Sequence, residues 1–313
     1  MRALRAIVAT GIAALAACTS FGADGVTAAP DPNEAGSDAS ASPADGSGAD
    51  VIFATDAKVV PGLLPIEAYS YGPPTSDEVI RAVTAEGGRV FFSNRATDSI
   101  EELLGDTTNR VVPGPGVGQQ LIVKDSFVWR TGAGTTNDEL HRYDTGEQLE
   151  TVVASGASGC AYVSPDGSRI YATDYAGRIF HVPVDGTGAP VHVLDQTGGP
   201  TLRIWGVAVI EGQIFYTRDE TQIVTRSGNA NGFVGAETPL LDGLNSPQCL
   251  TIDGGFLYFP TYRDGVIHRV KLDGTEHVIL AQEQLHPTQI GITGGNLYWN
   301  SGNKVMKLPI PAQ

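Results

Sequence analysis

Residues 250–280, LTIDGGFLYFPTYRDGVIHRVKLDGTEHVIL, set out four short hydrophobic runs separated by three turns. Leu250-Thr251-Ile252 is a short apolar strand. In Asp253-Gly254-Gly255 glycine supplies a positive φ at no steric cost, which marks a tight turn. Phe256 to Phe259 is an unbroken apolar run, the pattern of a strand covered on both faces. Val266, His268, Val270 and Leu272 then alternate with Ile267, Arg269 and Lys271, which predicts a third strand with one buried and one wetter face. Asp273-Gly274-Thr275 turns the chain again, and His277 to Leu280 form a fourth strand. A four-stranded antiparallel unit of this length has the outline of one β-propeller blade.

The unit recurs. Its second strand has six copies: 90–94 (VFFSN), 127–131 (FVWRT), 170–174 (IYATD), 214–218 (IFYTR), 257–261 (LYFPT) and 297–301 (LYWNS). Their central residues fall at 91, 128, 171, 215, 258 and 298, so successive differences are 37, 43, 44, 43 and 40. Eight residues before each centre stand Val83, Gln120, Val163, Val207, Leu250 and Ile290, apolar at every position but Gln120, as innermost strands require. Turn glycines keep the same register at Gly87-Gly88, Gly167, Gly212, Gly254-Gly255 and Gly294-Gly295. Periods near forty with four strands each predict an all-β, six-bladed propeller.

The last repeat lacks a fourth strand, because only five residues follow Leu308. Lys58-Val59-Val60-Pro61-Gly62 matches the fourth strand of the first blade, Arg110-Val111-Val112-Pro113-Gly114. It is therefore expected to complete the last blade, which would close the ring and remove an open ladder. A competing register comes from Ile52-Phe53-Ala54-Thr55-Asp56, which imitates residues 170–174 and would begin a seventh blade.

The chain opens differently. Arg2 and Arg5 precede an apolar segment, Ala6 to Ala14, too short to span a membrane as a mature helix, and Leu15-Ala16-Ala17-Cys18 follows. That order resembles the bacterial lipobox, which implies a signal peptide at 1–17 and lipid attachment at Cys18, with the protein held to a membrane by acyl chains. Thr19 in place of aspartate implies the outer membrane over the inner. Residues 18–50 are almost wholly Ala, Gly, Ser, Asp, Pro and Thr; they bury too little to offset their ordering entropy and should form a disordered tether of roughly 30 Å reach. The propeller domain is then 51–313.

Composition narrows the partners. The formal net charge is −15, from 20 basic and 35 acidic residues, a field that repels phosphate backbones and argues against nucleic acid. Acidity of this kind keeps an exported, monomeric propeller soluble.

Tyr171-Ala172-Thr173-Asp174, followed by Gly177-Arg178-Ile179-Phe180-His181-Val182-Pro183-Val184-Asp185-Gly186, resembles the YWTD-type repeat of low-density-lipoprotein-receptor propellers. It is equally similar to bacterial lipoproteins with LYW…G.I.RV.LDG repeats, common in myxobacteria and mostly of unknown function. The resemblance covers about Val51 to Leu308 and implies the six-bladed fold. Tryptophan holds the second motif position only at Trp129 and Trp299, and the closing aspartate only at Asp174, so the receptors' ligands are not implied.

No H-E-x-x-H or G-x-S-x-G motif occurs, and the six histidines form no equivalent ring. The loops after the second strands carry Asp98, Asp174, Asp219, Tyr262, Arg263 and Asp264, which are the candidate ligand-facing residues. Calcium is the cation such oxygen-rich loops could take, but a repeated Asp or Asn is better explained as a turn cap, so no cofactor is expected. Cys160 and Cys249 precede the inner strands of the third and fifth blades, which are not neighbours; two buried thiols are expected, a disulfide being the alternative. These features favour a non-catalytic binding or scaffold module for a protein or glycan. The alternative is an enzyme of lactonase or lyase type with a loop-bound divalent metal.

Overall fold

The computed structural model describes residues 52–53, 57–72, 78–114, 120–132, 138–174, 176–195, 203–228 and 232–311. The leader 1–17, Cys18 and the tether to residue 50 lie outside the described residues. Three short N-terminal strands, β1 (Ile52–Phe53), β2 (Lys58–Val59) and β3 (Ile66–Ser70), lead into six four-stranded antiparallel repeats. Blade one is β4 to β7 (Ile80–Glu86, Arg89–Asn94, Ser99–Leu104, Thr107–Pro113), and blade two is β8 to β11 (Gln120–Lys124, Phe127–Thr131, Glu139–Asp144, Leu149–Ser155). Blade three is β12 to β15 (Ala157–Val163, Arg169–Asp174, Arg178–Pro183, Val191–Asp195), and blade four is β16 to β19 (Val207–Ile210, Gln213–Arg218, Gln222–Ser227, Thr238–Asp242). Blade five is β20 to β23 (Thr251–Asp253, Phe256–Thr261, Val266–Lys271, Val278–Ala281), and blade six is β24 to β26 (Ile290–Thr293, Asn296–Ser301, Lys304–Pro309) completed by β3. Six blades of four antiparallel strands make the all-β propeller that the repeats predict, and no helix occurs among the described residues.

The apolar second strands read as unbroken runs because a neighbouring blade covers each of their faces. Phe91 packs toward blade two with Ile100 and Val128, while Phe92, one residue on, packs toward blade six with Val305. Phe215 and Phe259 fill the junction of blades four and five, and Tyr216 turns the opposite way to meet Ile179 of blade three. Trp129 and Trp299, both fully buried, occupy the junctions of blades two with three and five with six. Each of the six blade junctions thus has its own cluster. Truncating one of these aromatics to alanine should cost about 3–5 kcal/mol.

Ring closure uses an N-terminal strand, but not the expected one. Residues 66–70 pair antiparallel with β26, with Tyr69 opposite Val305. Ala68 and Tyr69 pack on the cluster at the junction of blades six and one, and the Tyr69 and Phe92 rings lie 5.1 Å apart. Lys58–Val59 instead adds a parallel fifth strand to the outer edge of blade five, with Lys58 opposite Val278. Ile52–Phe53 does the same on blade four, with Ile52 opposite Leu241, so it begins no seventh blade. The motif match did identify an outer-edge strand. Such a strand, whose Val59 is 57% exposed, buries too little for its sequence to specify which edge it joins.

Cys160 and Cys249 form a disulfide, with Cα atoms 5.4 Å apart. This corrects the expectation of two thiols, which assumed that blade four holds its neighbours apart. Two glycines remove that spacing. A Cβ on Gly159 would sit 2.6 Å from the Trp205 carbonyl oxygen, and one on Gly206 would sit 2.2 Å from that of Gln248. Backbones of blades three, four and five therefore converge at the axis, and the bond passes from blade three to blade five across the start of blade four.

Candidate functional site

The chain returns from each outer strand to the axis at one end of the ring, and the loops after the second strands open on the same end. Together they enclose a cavity of about 390 Å³ in the mouth of the central channel. Arg81 of β4, Gln120 of β8, Trp205 before β16, Gln248 before β20 and Thr288 before β24 line its axial wall. Glu220, Tyr262 and Arg263 come from the loops after the second strands of blades four and five. Glu78, Ser246 and Asn300 complete it.

The floor is built across the axis. Gln289 accepts a hydrogen bond from the Leu121 amide at 3.1 Å and donates one to the Leu121 carbonyl, joining blades six and two. Gln120 lies against Cys249 of the disulfide, with its amide oxygen 2.8 Å from Sγ. Below this layer a second chamber of about 230 Å³ is walled by apolar side chains such as Ile122, Leu250 and Ile290 together with Thr84, Thr251 and Asp253. Cys249 and Gln289 of the disulfide layer also line this second chamber.

Two charged groupings shape the cavity. On one side the Tyr262 hydroxyl donates to Glu78 Oε1, and the His286 ring stacks on Tyr262 at 4.5 Å and 13°. His286 Nδ1 lies 3.3 Å from the same carboxylate oxygen. Burial, then the hydrogen bond and charge of Glu78, pushes the Tyr262 phenol up to about 12, so it remains a neutral donor. Arg81 approaches Glu78 Oε2 only to 3.7 Å. Burial and the nearby Arg95 pull its pKa below the ordinary arginine value. On the other side, Arg263 donates to Glu220 Oε2 at 2.5 Å and Arg203 to Glu220 Oε1 at 3.4 Å.

Of the sequence-predicted residues, Tyr262 and Arg263 line the cavity; the four aspartates do not. Asp174 is buried and caps its own turn, accepting the Ala176 and Arg178 amides at 2.9 Å each and Arg178 Nε at 2.7 Å. Asp98 and Asp219 are turn residues with φ of 48° and 53°, and Asp219 pairs with Arg218 at 3.3 Å. Asp264 is exposed on the loop after Arg263. Among the described residues no group of three or more His, Cys, Asp or Glu side chains is arranged to hold a metal ion. The axial wall was missed by sequence reasoning, although one signal existed: Gln120 is the polar exception in an otherwise apolar column of inner-strand positions.

What the residues offer is a set of amide, hydroxyl and charged groups beside the indole of Trp205 and the phenol of Tyr262. Fold and cavity together define a six-bladed propeller with a polar cavity in the mouth of its channel. No family model matches the sequence, and no curated protein matches it. Solved structures share the fold. A putative gluconolactonase is 12% identical with a TM-score of 0.61, the match covering 80% of this chain and 93% of that one. A Bacteroides thetaiotaomicron protein of unknown function is 12% identical with a TM-score of 0.58, covering 83% and 74%. The calcium-binding protein regucalcin of Agrobacterium tumefaciens is 14% identical with a TM-score of 0.58, covering 77% and 94%. At such identities the likeness is one of fold.

Proposed function

We propose that this chain is a cell-envelope lipoprotein whose propeller is a non-catalytic binding module, and that its ligand is the end of a glycan received in the channel-mouth cavity. The observation that carries this reading is the lining of the cavity. Its volume is in the range of small-ligand sites, and it sets two aromatic side chains among amides and hydroxyls. A sugar presents both needs at once: an apolar ring face for Trp205 or Tyr262, and a ring of hydroxyls for Gln120, Gln248, Ser246 and Asn300. A protein partner would ask instead for a broad, flatter surface.

In this reading Cys18 carries the lipid, 18–50 is the tether, the membrane is met only through that anchor, and the outer membrane is the destination. The loop-bound metal of the alternative enzyme reading finds no three-ligand group among the described residues. Titration calorimetry of the full chain bearing Cys18→Ser, against a panel of di- to tetrasaccharides, tests the ligand. Binding that is lost on Gln248→Ala with an unchanged melting curve supports the cavity; no heat with any saccharide removes the glycan reading. For the anchor, Cys18→Ala should abolish radiolabelled fatty-acid incorporation, and undiminished labelling would refute it.

A further inference from the structure

Resting on the glycan reading, one side chain of the cavity speaks to the charge of the sugar. Arg81 is a half-buried cation that lacks adequate partners. Its guanidinium carries five N–H donors, its nearest carboxylate is 3.7 Å away, and its Nε is buried without a hydrogen-bond partner. Leaving charged donors unpaired in a desolvated site is costly. Glu78 meets that need only as an ion pair, its Oε2 lying 3.7 Å from the guanidinium, while its Oε1 is taken by the Tyr262 hydroxyl and adjoined by His286 Nδ1. The opposite wall has no spare anion either: Arg263 and Arg203 share the single carboxylate of Glu220. Among the lining residues, Arg81 and Arg263 face Glu78 and Glu220, so the cavity is balanced in charge within a chain whose formal net charge is −15. The cavity therefore does not share the acidity of the whole protein. At physiological salt the general negative field is screened beyond about 8 Å, so the pairing of the lining's own charges governs what enters.

We infer that the sugar taken here is acidic: a saccharide bearing a carboxylate, as a uronic or sialic acid does, with the carboxylate on Arg81 and the sugar ring against the aromatic side chains. A planar carboxylate matches the guanidinium fork with two parallel hydrogen bonds, which supplies specificity as well as affinity.

The test uses the full chain bearing Cys18→Ser and calorimetry with galacturonate-, glucuronate- and sialate-terminated disaccharides, their methyl esters, their neutral counterparts and acetate. The expected result is that an acidic disaccharide binds at least about tenfold tighter than its own ester, as loss of a charge-assisted pair implies. Arg81→Gln should bring the acid-to-ester ratio of affinities to about one by weakening the acid far more than the ester, while Arg81→Lys keeps part of the preference. Equal binding of acid, ester and neutral sugar overturns the acidic assignment and leaves the glycan reading standing. A loss in Arg81→Gln that is equal for acid and ester also overturns it. Acetate binding as tightly as the disaccharides would mean an anion site without sugar recognition, and silence from every saccharide, with melting curves intact, sinks both readings.

Discussion

Replacing Cys160 and Cys249 with alanine, or reducing the bond between them, should destabilise the propeller more than any other change at the axis. The bond spans 89 residues of sequence and ties blade three to blade five around blade four. In the chain-entropy treatment, a loop of that length removes about 4.6 kcal/mol of conformational freedom from the unfolded state at room temperature. For a domain of this size each kcal/mol moves the melting midpoint by about 2–4 °C, so the midpoint should fall by roughly 9–18 °C. Blade four lies inside the loop, so its amides should gain exchange first when the bond is cut. Scanning calorimetry with and without reductant measures the shift, and hydrogen exchange locates it. Alkylation of the unreduced, denatured protein should leave both cysteines unmodified. Midpoints within about 2 °C of each other, or two alkylated cysteines before reduction, would refute the reasoning.

Acid should weaken the fold through His268, which stacks on Phe259 at 4.8 Å and lies 3.1 Å from both Thr261 Oγ1 and His277 Nε2. Burial, then the neighbouring His277, lowers its pKa to about 3. The unfolded chain takes up that proton near pH 6.5 and the folded chain only near 3, so this stability is complete above 6.5 and is lost as pH falls, by about 2 kcal/mol at pH 5. Urea unfolding at pH 7.5 and 5.0 should show the drop in the native sequence and a flatter dependence in His268→Gln. Asp174→Ala removes a buried carboxylate that holds two amides and Arg178, and should cost about 2–3 kcal/mol by the same assay while leaving saccharide affinity unchanged. A chain beginning at Pro61 loses only the two parallel edge strands and should stay a folded monomer by size-exclusion chromatography. One beginning at Gly72 also loses β3, uncovers the edge of β26, and should aggregate or melt without cooperativity.

The fold was legible in the sequence because each blade must bury both faces of its second strand, and that requirement writes an apolar run of fixed register six times over. Phe91 and Phe92 point to different neighbours, yet both must be apolar, so pattern alone suffices. Of the N-terminal strands only Lys58–Val59 was legible as an edge strand; Ile52–Phe53 was legible as a seventh-blade register it does not adopt, and the closing strand Ile66–Ser70 was not legible. Val59, more than half exposed, leaves no packing signature to separate an outer position on blade five from one on blade six. The disulfide escaped for a different reason: spacing along the chain said nothing of how closely Gly159 and Gly206 let three blades approach. The site was half read. Tyr262 and Arg263 stood out as unrepeated loop residues, whereas Glu78 with Arg81, Trp205, Gln248 and Thr288 are separated in turn by 124, 43 and 40 residues and meet only when the ring closes.

Tryptophan fluorescence tests the central claim most directly. Trp129 and Trp299 are fully buried between blades, while Trp205 lines the channel-mouth cavity. A saccharide received there should change the emission with a saturable dependence on concentration, and Trp205→Phe should abolish that change while Trp129→Phe leaves it in place. A spectral change that survives Trp205→Phe in full, with the same affinity, would contradict the assignment of the cavity as the binding site.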